Sequence, residues 1–147
     1  MEQEVLQTRP TAMVELLEQG GLNIHWDRLM DTIREGVQGL TEWDMADIAR
    51  KLRGRQLVAI ALWLGERVHG YAVLQPATLK DSLCMNVYAI HGKDISIEQW
   101  GVFIDQVSDV LRLSGYTRMV AITQNPRVLE ICRRTGWGVS NYCERVL

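Results

Sequence analysis

The sequence predicts an α+β fold in which a mixed β-sheet lies between two layers of helices. Three observations predict this class: helical patterns fill residues 24–54, antiparallel strand patterns fill 56–75, and a strand, a helix and a strand follow over 83–123. A chain of 147 residues is long enough for one hydrophobic core. The prediction is therefore a single three-layer α/β domain over residues 1–147.

The first 23 residues are the least defined part and are predicted to be an N-terminal extension. The segment EVLQT, which Pro10 ends, has the composition of an edge strand. From Thr11, the segment TAMVELLEQGG has a cap residue, an apolar stripe and the pair Gly20–Gly21 at its end. These signals predict a short helix.

Two longer helices are predicted next. Apolar residues recur at three- and four-residue steps over 24–38, which places them on one helix face. Thr41 caps the second helix, which ends near Gly54. The residues predicted for its inner side are Trp43, Ile48, Ala49 and Leu52.

An antiparallel meander is predicted for the middle of the chain. In residues 56–64 both the odd and the even positions are mainly apolar, as in a strand covered on both faces. Gly65–Glu66 predicts a tight hairpin into a second strand over 67–75. Residues 76–82 are predicted to be a loop, and 83–91 the third strand.

A crossover connection is predicted for the C-terminal half. Ser96 and Gln99 have the spacing of a capping box for a helix over 96–114, and a strand follows over 118–123. A right-handed crossover makes strands 83–91 and 118–123 parallel neighbours or near neighbours. Asn125 and Pro126 then begin a last helix, and NYCERVL forms the final strand.

Composition excludes several classes of function. The formal net charge is −2 and the arginines form no long stripe, which argues against a nucleic-acid partner. Three cysteines without CxxC spacing predict buried, reduced thiols in the cytoplasm and no metal site. No apolar run is long enough for a membrane span, and the acidic opening MEQEVLQ differs from a signal peptide.

Two sequence patterns resemble the GNAT (Gcn5-related N-acetyltransferase) superfamily. The first is GRQLVAIALWLGERVHGYAVL, and the second is NPRVLEICRRTGW, which is similar to the family ending NxxAxxLYxKxGF. The resemblance covers residues 24–147. It is nearest to phage-encoded GNAT-like proteins, in which a short glycine turn is followed by a tryptophan, here Gly92 and Trp100.

The resemblance implies that acetyl-CoA would lie where strands 83–91 and 118–123 splay. Its pantetheine arm would bond to the first of these strands, and its pyrophosphate would rest on the start of helix 96–114. The candidate cofactor-binding residues are Tyr88, Ile90, Gly92, Lys93, Ser96 and Asn125.

The turn before that helix departs from the family pattern Q/RxxGxG/A, because it reads HGKDIS. Gly92 matches one small position. Asp94 places a carboxylate near the expected phosphates, and Ile95 is bulky, whereas two small residues let backbone N–H groups converge on an anion.

The catalytic candidates also depart from the family. Alignment of the family ending puts Cys132 where the family has a tyrosine acid, with Tyr142 or Tyr88 as candidates to replace it and a buried core cysteine as the alternative. His91 is the preferred general base over His69, because ligand sites lie beyond the carboxyl ends of parallel strands. A structural histidine is the alternative.

These departures favour a GNAT-fold protein with a degenerate active site, which acts as a phage-encoded structural or interaction component. Its partner would be a virion protein, a host protein or a second copy of the chain. Its location would be the host cytoplasm or the virion. The alternative is an active acetyl-CoA-dependent N-acetyltransferase acting on a small amine or on a protein lysine or N-terminus. An open gap between the two parallel strands would favour the enzyme; Trp100, Tyr88 or Ile95 filling it would favour the degenerate site.

Overall fold

The computed structural model describes residues 11–37, 39–79, 81–121, 123, 125–139 and 143–147. The elements in chain order are β1 (Ala12–Leu16), α1 (Gln19–Gly36), α2 (Glu42–Arg53), β2 (Val58–Leu64), β3 (Arg67–Leu79), β4 (Ser82–Gly92), α3 (Ile97–Leu113), β5 (Arg118–Ala121), α4 (Pro126–Arg134), β6 (Gly138–Val139) and β7 (Cys143–Val146). The strands described form one seven-stranded sheet in the order β1-β2-β3-β4-β5-β7-β6. Only β4 and β5 pair in parallel within these residues. The predicted α+β class and parallel pair are confirmed.

Two hydrophobic clusters fill the space on either side of the sheet. Successive residues of β2 show the alternation, since Ala61 packs with α1 and α2 whereas Leu62 packs with α3 and α4. The buried members from the helices include Leu29 of α1 and Phe103 of α3. The molecule therefore has the predicted three layers.

The short helix predicted from Thr11 is wrong, because Ala12–Leu16 forms β1, which is antiparallel to β2 at the edge of the sheet that the structure describes. Apolar residues in this segment fit strand alternation as well as a helical stripe, and pairing with β2 decides between them. Gly20–Gly21 lies in the first turn of α1 and does not end a helix. The predicted strand EVLQT lies outside the described residues.

The outer edge of β1 is bound by a side chain of α3. Gln106 accepts a hydrogen bond from the backbone N–H of Val14 through Oε1 and donates one to the carbonyl of Ala12 through Nε2, both at 2.9 Å. One amide side chain thus serves two neighbouring backbone groups of the edge strand.

The loop predicted over residues 76–82 is also wrong. β3 continues through Pro76 to Leu79 and pairs with β4, and Asp81 adopts a positive φ of 66° at the turn. In the described residues, β2 pairs with β3 only as far as Leu74. Pro76 therefore lies where one side of β3 is an edge, and a missing N–H is tolerated there. The hairpin at Gly65–Glu66 is confirmed.

The cap predicted for α2 is confirmed, but the predicted burial of one residue, Trp43, is not. Thr41 and Asp44 form a reciprocal capping box at the start of the helix. Ile48 and Leu52 are buried as predicted, whereas Trp43 is 86% exposed. Trp43 lies in the first helical turn, where residues 42–44 are all exposed.

The Asp44 carboxylate is expected to stabilise the fold at neutral pH and to lose that effect in acid. The backbone N–H of Thr41, and then its hydroxyl, donate to this carboxylate and hold its pKa below the usual 3.8. A lowered folded-state pKa favours folding above the unfolded-state pKa, and the contribution disappears as pH falls through the folded-state value. Urea unfolding should show Asp44→Asn destabilised at pH 6 and much less affected near pH 2. Asp31→Asn, at an exposed position of α1, is the control. An Asp44→Asn deficit independent of pH would contradict the prediction.

Helices α3 and α4 begin where the sequence predicts. Ser96 and Gln99 form the predicted capping box, and Asn125 caps α4 with Pro126 in its first turn. Cys84 and Cys132 are buried, as predicted. Among the helices described, none has the length and apolar character needed to cross a membrane.

Candidate functional site

Strand β4 leaves its parallel neighbour at a β-bulge. β4 pairs with β5 from Cys84 to Val87, and the described part of the chain gives the rest of β4 a strand partner only on β3. The register skips Tyr88, because Val73 opposes Ala89 whereas Leu74 opposes Val87. A bulge bends a strand and leaves the extra residue out of the ladder. The bulge therefore bends β4 where its described pairing with β5 ends, which is consistent with the splay that the family resemblance implies.

A cleft of about 600 Å³ opens where these strands diverge. Its walls come from the sheet and from α3 and α4, and they are mainly apolar. The gap between the strands is open: Ile95 and Trp100 line it without filling it, and Tyr88 is not among its lining residues. The polar or ionisable residues in its lining are His91, Asp94, Ser96, Asn125, Arg127, Cys132 and Trp137.

The turn between β4 and α3 is packed by its own side chains. A Cβ on Gly92 would lie 2.5 Å from Cδ1 of Ile95 and 3.1 Å from Cζ2 of Trp100. Gly92 thus makes room for these two side chains. Asp94 is exposed and has a φ of 58°, in the left-handed region. A charged and strained residue therefore stands in this turn.

The capping box of α3 occupies two of the amide groups at the start of the helix. The N–H of Ser96 donates to Oε1 of Gln99 at 2.9 Å, and the N–H of Gln99 donates to Oγ of Ser96 at 3.1 Å. An anion at this helix start would compete with these two bonds, although the helix dipole still favours negative charge there.

The predicted residues His91 and Lys93 point toward α1. His91 Nε2 is 3.4 Å from Oε2 of Glu35, and Lys93 Nζ is 3.6 Å from the same oxygen. The Cβ of His91 lies 3.0 Å from the position that a Cβ on Gly36 would take. Both side chains are therefore on the opposite face of the sheet from α3, and the lysine charge is beside a carboxylate.

The remaining predicted residues are divided between the cleft and its surroundings. Ile90 lines the cleft, and Asn125 lies at its mouth, where its Oδ1 accepts a bond of 2.9 Å from the N–H of Arg127. The Tyr88 side chain is exposed, while its backbone forms the bulge. Cys132 is buried in the cleft wall. Tyr142 lies outside the described residues.

The indole of Trp137 provides a donor in the cleft wall. The residue is 9% exposed, and its buried Nε1 has no hydrogen-bond acceptor among the residues that the structure describes. A buried N–H without an acceptor is costly, on the order of 1–3 kcal/mol. A ligand oxygen in the cleft would satisfy it.

Arg127 is a site residue that the sequence reasoning missed. It lies in the first turn of α4, lines the cleft, and places Nη2 3.4 Å from the carbonyl oxygen of Ile95. The guanidinium therefore lies beside the turn that starts α3. The signal was available: α4 begins after a strand parallel to β4, and the carboxyl ends of parallel strands share one edge.

The arrangement of these elements is the GNAT fold. Three solved structures show it: a probable acetyltransferase (13% identity, TM-score 0.68, 87% of this chain and 91% of that chain), a GNAT-family N-acetyltransferase from Escherichia coli in complex with CoA (12%, 0.68, 95% and 83%), and a GNAT-family acetyltransferase from Brucella melitensis in complex with acetyl-CoA (12%, 0.64, 93% and 88%). At these identities the likeness shows the fold. No protein-family model and no curated protein sequence matches the chain.

Proposed function

We propose that this protein binds an acyl-CoA thioester between β4 and β5 and transfers the acyl group to an amine. The observation that carries the proposal is the open, apolar cleft of about 600 Å³ at the bulge where the parallel strands diverge. Two proteins of the same fold are in complex with CoA or acetyl-CoA. The proposed ligand is thus of a kind that other proteins with this fold bind.

The residues present fit such a ligand along the cleft. The arm of CoA contains amide groups, which suit the stretch of β4 beyond Val87 that has no β5 partner in the described chain. The buried N–H of Trp137 can donate to a carbonyl oxygen of the ligand. The guanidinium of Arg127, beside the turn at Ile95, can bind a phosphate with charge-assisted hydrogen bonds.

When bound, the thioester supplies an acyl group that moves from sulfur to nitrogen: a C–N bond forms, the C–S bond breaks, the amine proton goes to water and the thiolate takes up a proton. The backbone N–H of Tyr88, out of the ladder at the bulge, is our candidate donor to the carbonyl oxygen as negative charge develops on it. His91 Nε2 lies 3.4 Å from the Glu35 carboxylate on the α1 side and has no hydrogen-bond partner among the described residues, so its side chain would reach the reacting amine from that face.

A second candidate is the non-catalytic interaction role, with a host, virion or self partner. It is favoured by the turn at residues 92–96, where Ile95 and Trp100 occupy the space beside Gly92 and Asp94 adds a negative charge. The phage origin stays a prediction from the sequence resemblance. A CoA site would then remain in the fold without a ligand.

Acetyl-CoA is expected to raise the melting temperature by about 5–10 °C at a hundredfold excess over its dissociation constant, because binding then adds about 2.7 kcal/mol to the free energy of unfolding. Thermal unfolding followed by tryptophan fluorescence measures the shift, and isothermal titration gives the dissociation constant. ATP, which has adenine and phosphates but no pantetheine arm, is the control ligand.

A folded protein whose melting temperature is unchanged by CoA and acetyl-CoA at millimolar concentration would refute the proposed acyl-CoA site and favour the non-catalytic candidate. A shift of equal size with ATP would show phosphate binding without use of the cleft.

A further inference from the structure

The mouth of the cleft has one strong anchor for a phosphate group. Of the described residues that line the cleft, Arg127 is the only lysine or arginine. Its Nη2 lies 3.4 Å from the carbonyl oxygen of Ile95, so the guanidinium stands beside the turn before α3. A guanidinium binds a phosphate with charge-assisted hydrogen bonds, often two in parallel. The anchor therefore matches a single phosphate.

The charges around this anchor do not suit further phosphates. Lys93, the cation nearest in sequence to the turn, has its Nζ 3.6 Å from Oε2 of Glu35 on the α1 side. Asp94 instead lines the cleft, and its carboxylate repels an anion at short range. A second phosphate at the cleft mouth would thus meet a carboxylate in place of a cation.

The backbone of the turn does not suit a diphosphate either. A diphosphate is commonly held by converging backbone N–H groups, which small residues let it approach. Here Ile95 and Trp100 occupy the space beside Gly92, since an added Cβ there would lie 2.5 Å and 3.1 Å from their side-chain atoms. The N–H groups of Ser96 and Gln99 are already bonded in the capping box. Side chains and existing hydrogen bonds therefore stand where a diphosphate would be held.

The interior of the cleft, by contrast, suits the pantetheine arm, as described above. This arm and its first phosphate are common to CoA and to 4′-phosphopantetheine. CoA adds a second phosphate and a 3′-phosphorylated adenosine, which gives it about four negative charges near neutral pH, whereas a single phosphate carries about one or two. The cleft thus matches the shared part of these molecules and not the part that only CoA has.

We propose that the acyl donor is a thioester of 4′-phosphopantetheine with a single phosphate, either free or attached to a serine of a carrier protein. The inference rests on the proposed function for the thioester and on Arg127, Asp94 and the turn for the number of phosphates. The acyl group moves from the phosphopantetheine sulfur to the amine: a C–N bond forms, the C–S bond breaks, the amine proton goes to water and the thiolate takes up a proton.

The test is isothermal titration of the full chain with acetyl-CoA, S-acetyl-4′-phosphopantetheine and S-acetylpantetheine. The single-phosphate compound should bind about 10–100-fold more tightly than S-acetylpantetheine, because the guanidinium binds its phosphate. It should bind within about threefold of acetyl-CoA, or more tightly, because the nucleotide adds no favourable contact. Acetyl-CoA binding more than about threefold tighter than S-acetyl-4′-phosphopantetheine would overturn the proposal.

Substitution of the anchor makes the test specific. Arg127→Ala should bring S-acetyl-4′-phosphopantetheine to within about twofold of S-acetylpantetheine and leave S-acetylpantetheine itself within about twofold of its affinity for the parent. Arg127→Gln should do the same and keeps most of the side-chain packing, which guards against misfolding of one variant. An undiminished advantage of the phosphate in both variants would overturn the proposal.

Substitution of the carboxylate tests the charge argument. Asp94→Gly should strengthen acetyl-CoA by a larger factor than S-acetyl-4′-phosphopantetheine, because CoA carries more negative charge. Asp81→Gly is the matched control: Asp81 is also exposed and also has a positive φ, of 66°, but it does not line the cleft. This control should change neither affinity. An equal gain for both ligands in Asp94→Gly would contradict the charge argument.

A carrier protein bearing acetyl-4′-phosphopantetheine on its serine separates the two sources of the group. A bacterial acyl carrier protein loaded in this way is the probe. Tighter binding of the loaded carrier than of the free compound would identify a carrier-bound donor, and the reverse order would identify a small molecule. Both results support a single-phosphate donor.

The same titrations distinguish this inference from the proposed function. Acetyl-CoA binding that exceeds the single-phosphate compound by more than about threefold would keep the proposed function and refute the inference. Binding of S-acetyl-4′-phosphopantetheine without binding of acetyl-CoA would refute the acyl-CoA site and keep the single-phosphate donor. Absence of binding by all these thioesters would refute both.

Discussion

Gly70→Ala is expected to lower the free energy of unfolding by about 3 kcal/mol and to weaken ligand binding at the cleft. A Cβ on Gly70 would collide with the carbonyl oxygen of His91 and lie 2.7 Å from Cα of Gly92. Both neighbours are backbone atoms, so no side-chain rotation relieves the clash. The end of β4 would have to move away from β3.

That movement is resisted by the bonds that hold the turn to β3. Gly70 pairs with Gly92, the N–H of Lys93 donates to the carbonyl of His69 at 2.9 Å, and His69 Nδ1 donates to the carbonyl of Lys93 at 3.0 Å. Displacing the end of β4 strains these contacts and shifts the start of α3. Stability and the geometry of the cleft mouth therefore change together.

Gly101→Ala is the matched control for this prediction. Gly101 lies inside α3, and the nearest side-chain atom to an added Cβ is Cγ2 of Thr135 at 3.9 Å. Alanine is favoured over glycine in a helix interior by about 1 kcal/mol, so this variant should be more stable than the parent. Urea unfolding followed by tryptophan fluorescence compares the two. Gly70→Ala with unfolding free energy equal to the parent would contradict the close approach of β3 and β4.

Arg127→Ala is expected to weaken CoA binding by about 10–100-fold, whereas Asp94→Gly should strengthen it by about 5–10-fold. Both side chains line the cleft mouth and have opposite charges. A hydrogen bond from a guanidinium to a phosphate contributes about 1.5–3 kcal/mol. A carboxylate near the same phosphate opposes binding by about 1 kcal/mol or more.

A second reason supports the tighter CoA binding expected for Asp94→Gly. The backbone φ of 58° at this position suits glycine, so the substitution removes a charge without adding strain. Adding Ile95→Ala makes room beside Gly92, because Cδ1 of Ile95 occupies the space next to that residue. The double variant should therefore bind CoA more tightly than Asp94→Gly alone.

Titration calorimetry at low and high salt measures these changes, since an electrostatic difference shrinks as ionic strength rises. Arg133→Ala is the control: this arginine is exposed on the same helix but does not line the cleft. Unchanged CoA affinity in Arg127→Ala would show that the phosphates lie away from the start of α4. Weaker CoA binding by Asp94→Gly would contradict the proposed repulsion between the Asp94 carboxylate and the phosphates.

Sequence predicts the elements best where a local signal defines an end. Ser96 with Gln99 and Asn125 with Pro126 carry their caps within four residues, so α3 and α4 begin where expected. Residues 12–16 have misleading signals instead, because Thr11 and Gly20–Gly21 are residue types typical of helix ends although the segment is a strand. Their apolar pattern is compatible with two structures, and only the distant strand β2 selects one.

The position of the candidate site is predictable from sequence, but the direction of its side chains is not. Val87 packs toward α3, and without the bulge His91, four residues later, would share that face. The extra residue Tyr88 reverses the parity, so His91 points to Glu35 instead. A register shift between β3 and β4 has no local sequence signal, and so the predicted base is on the other side of the sheet.

The contact between Gln106 and β1 has a consequence for self-association. An edge strand with open N–H and C=O groups is a template for pairing with another chain, which leads to aggregation. Here the amide of Gln106 binds the N–H of Val14 and the carbonyl of Ala12 as a neighbouring strand would. A second molecule adding a strand at this edge would first have to displace that amide. Helix α3 therefore bounds the cleft and also protects β1 from unwanted strand addition.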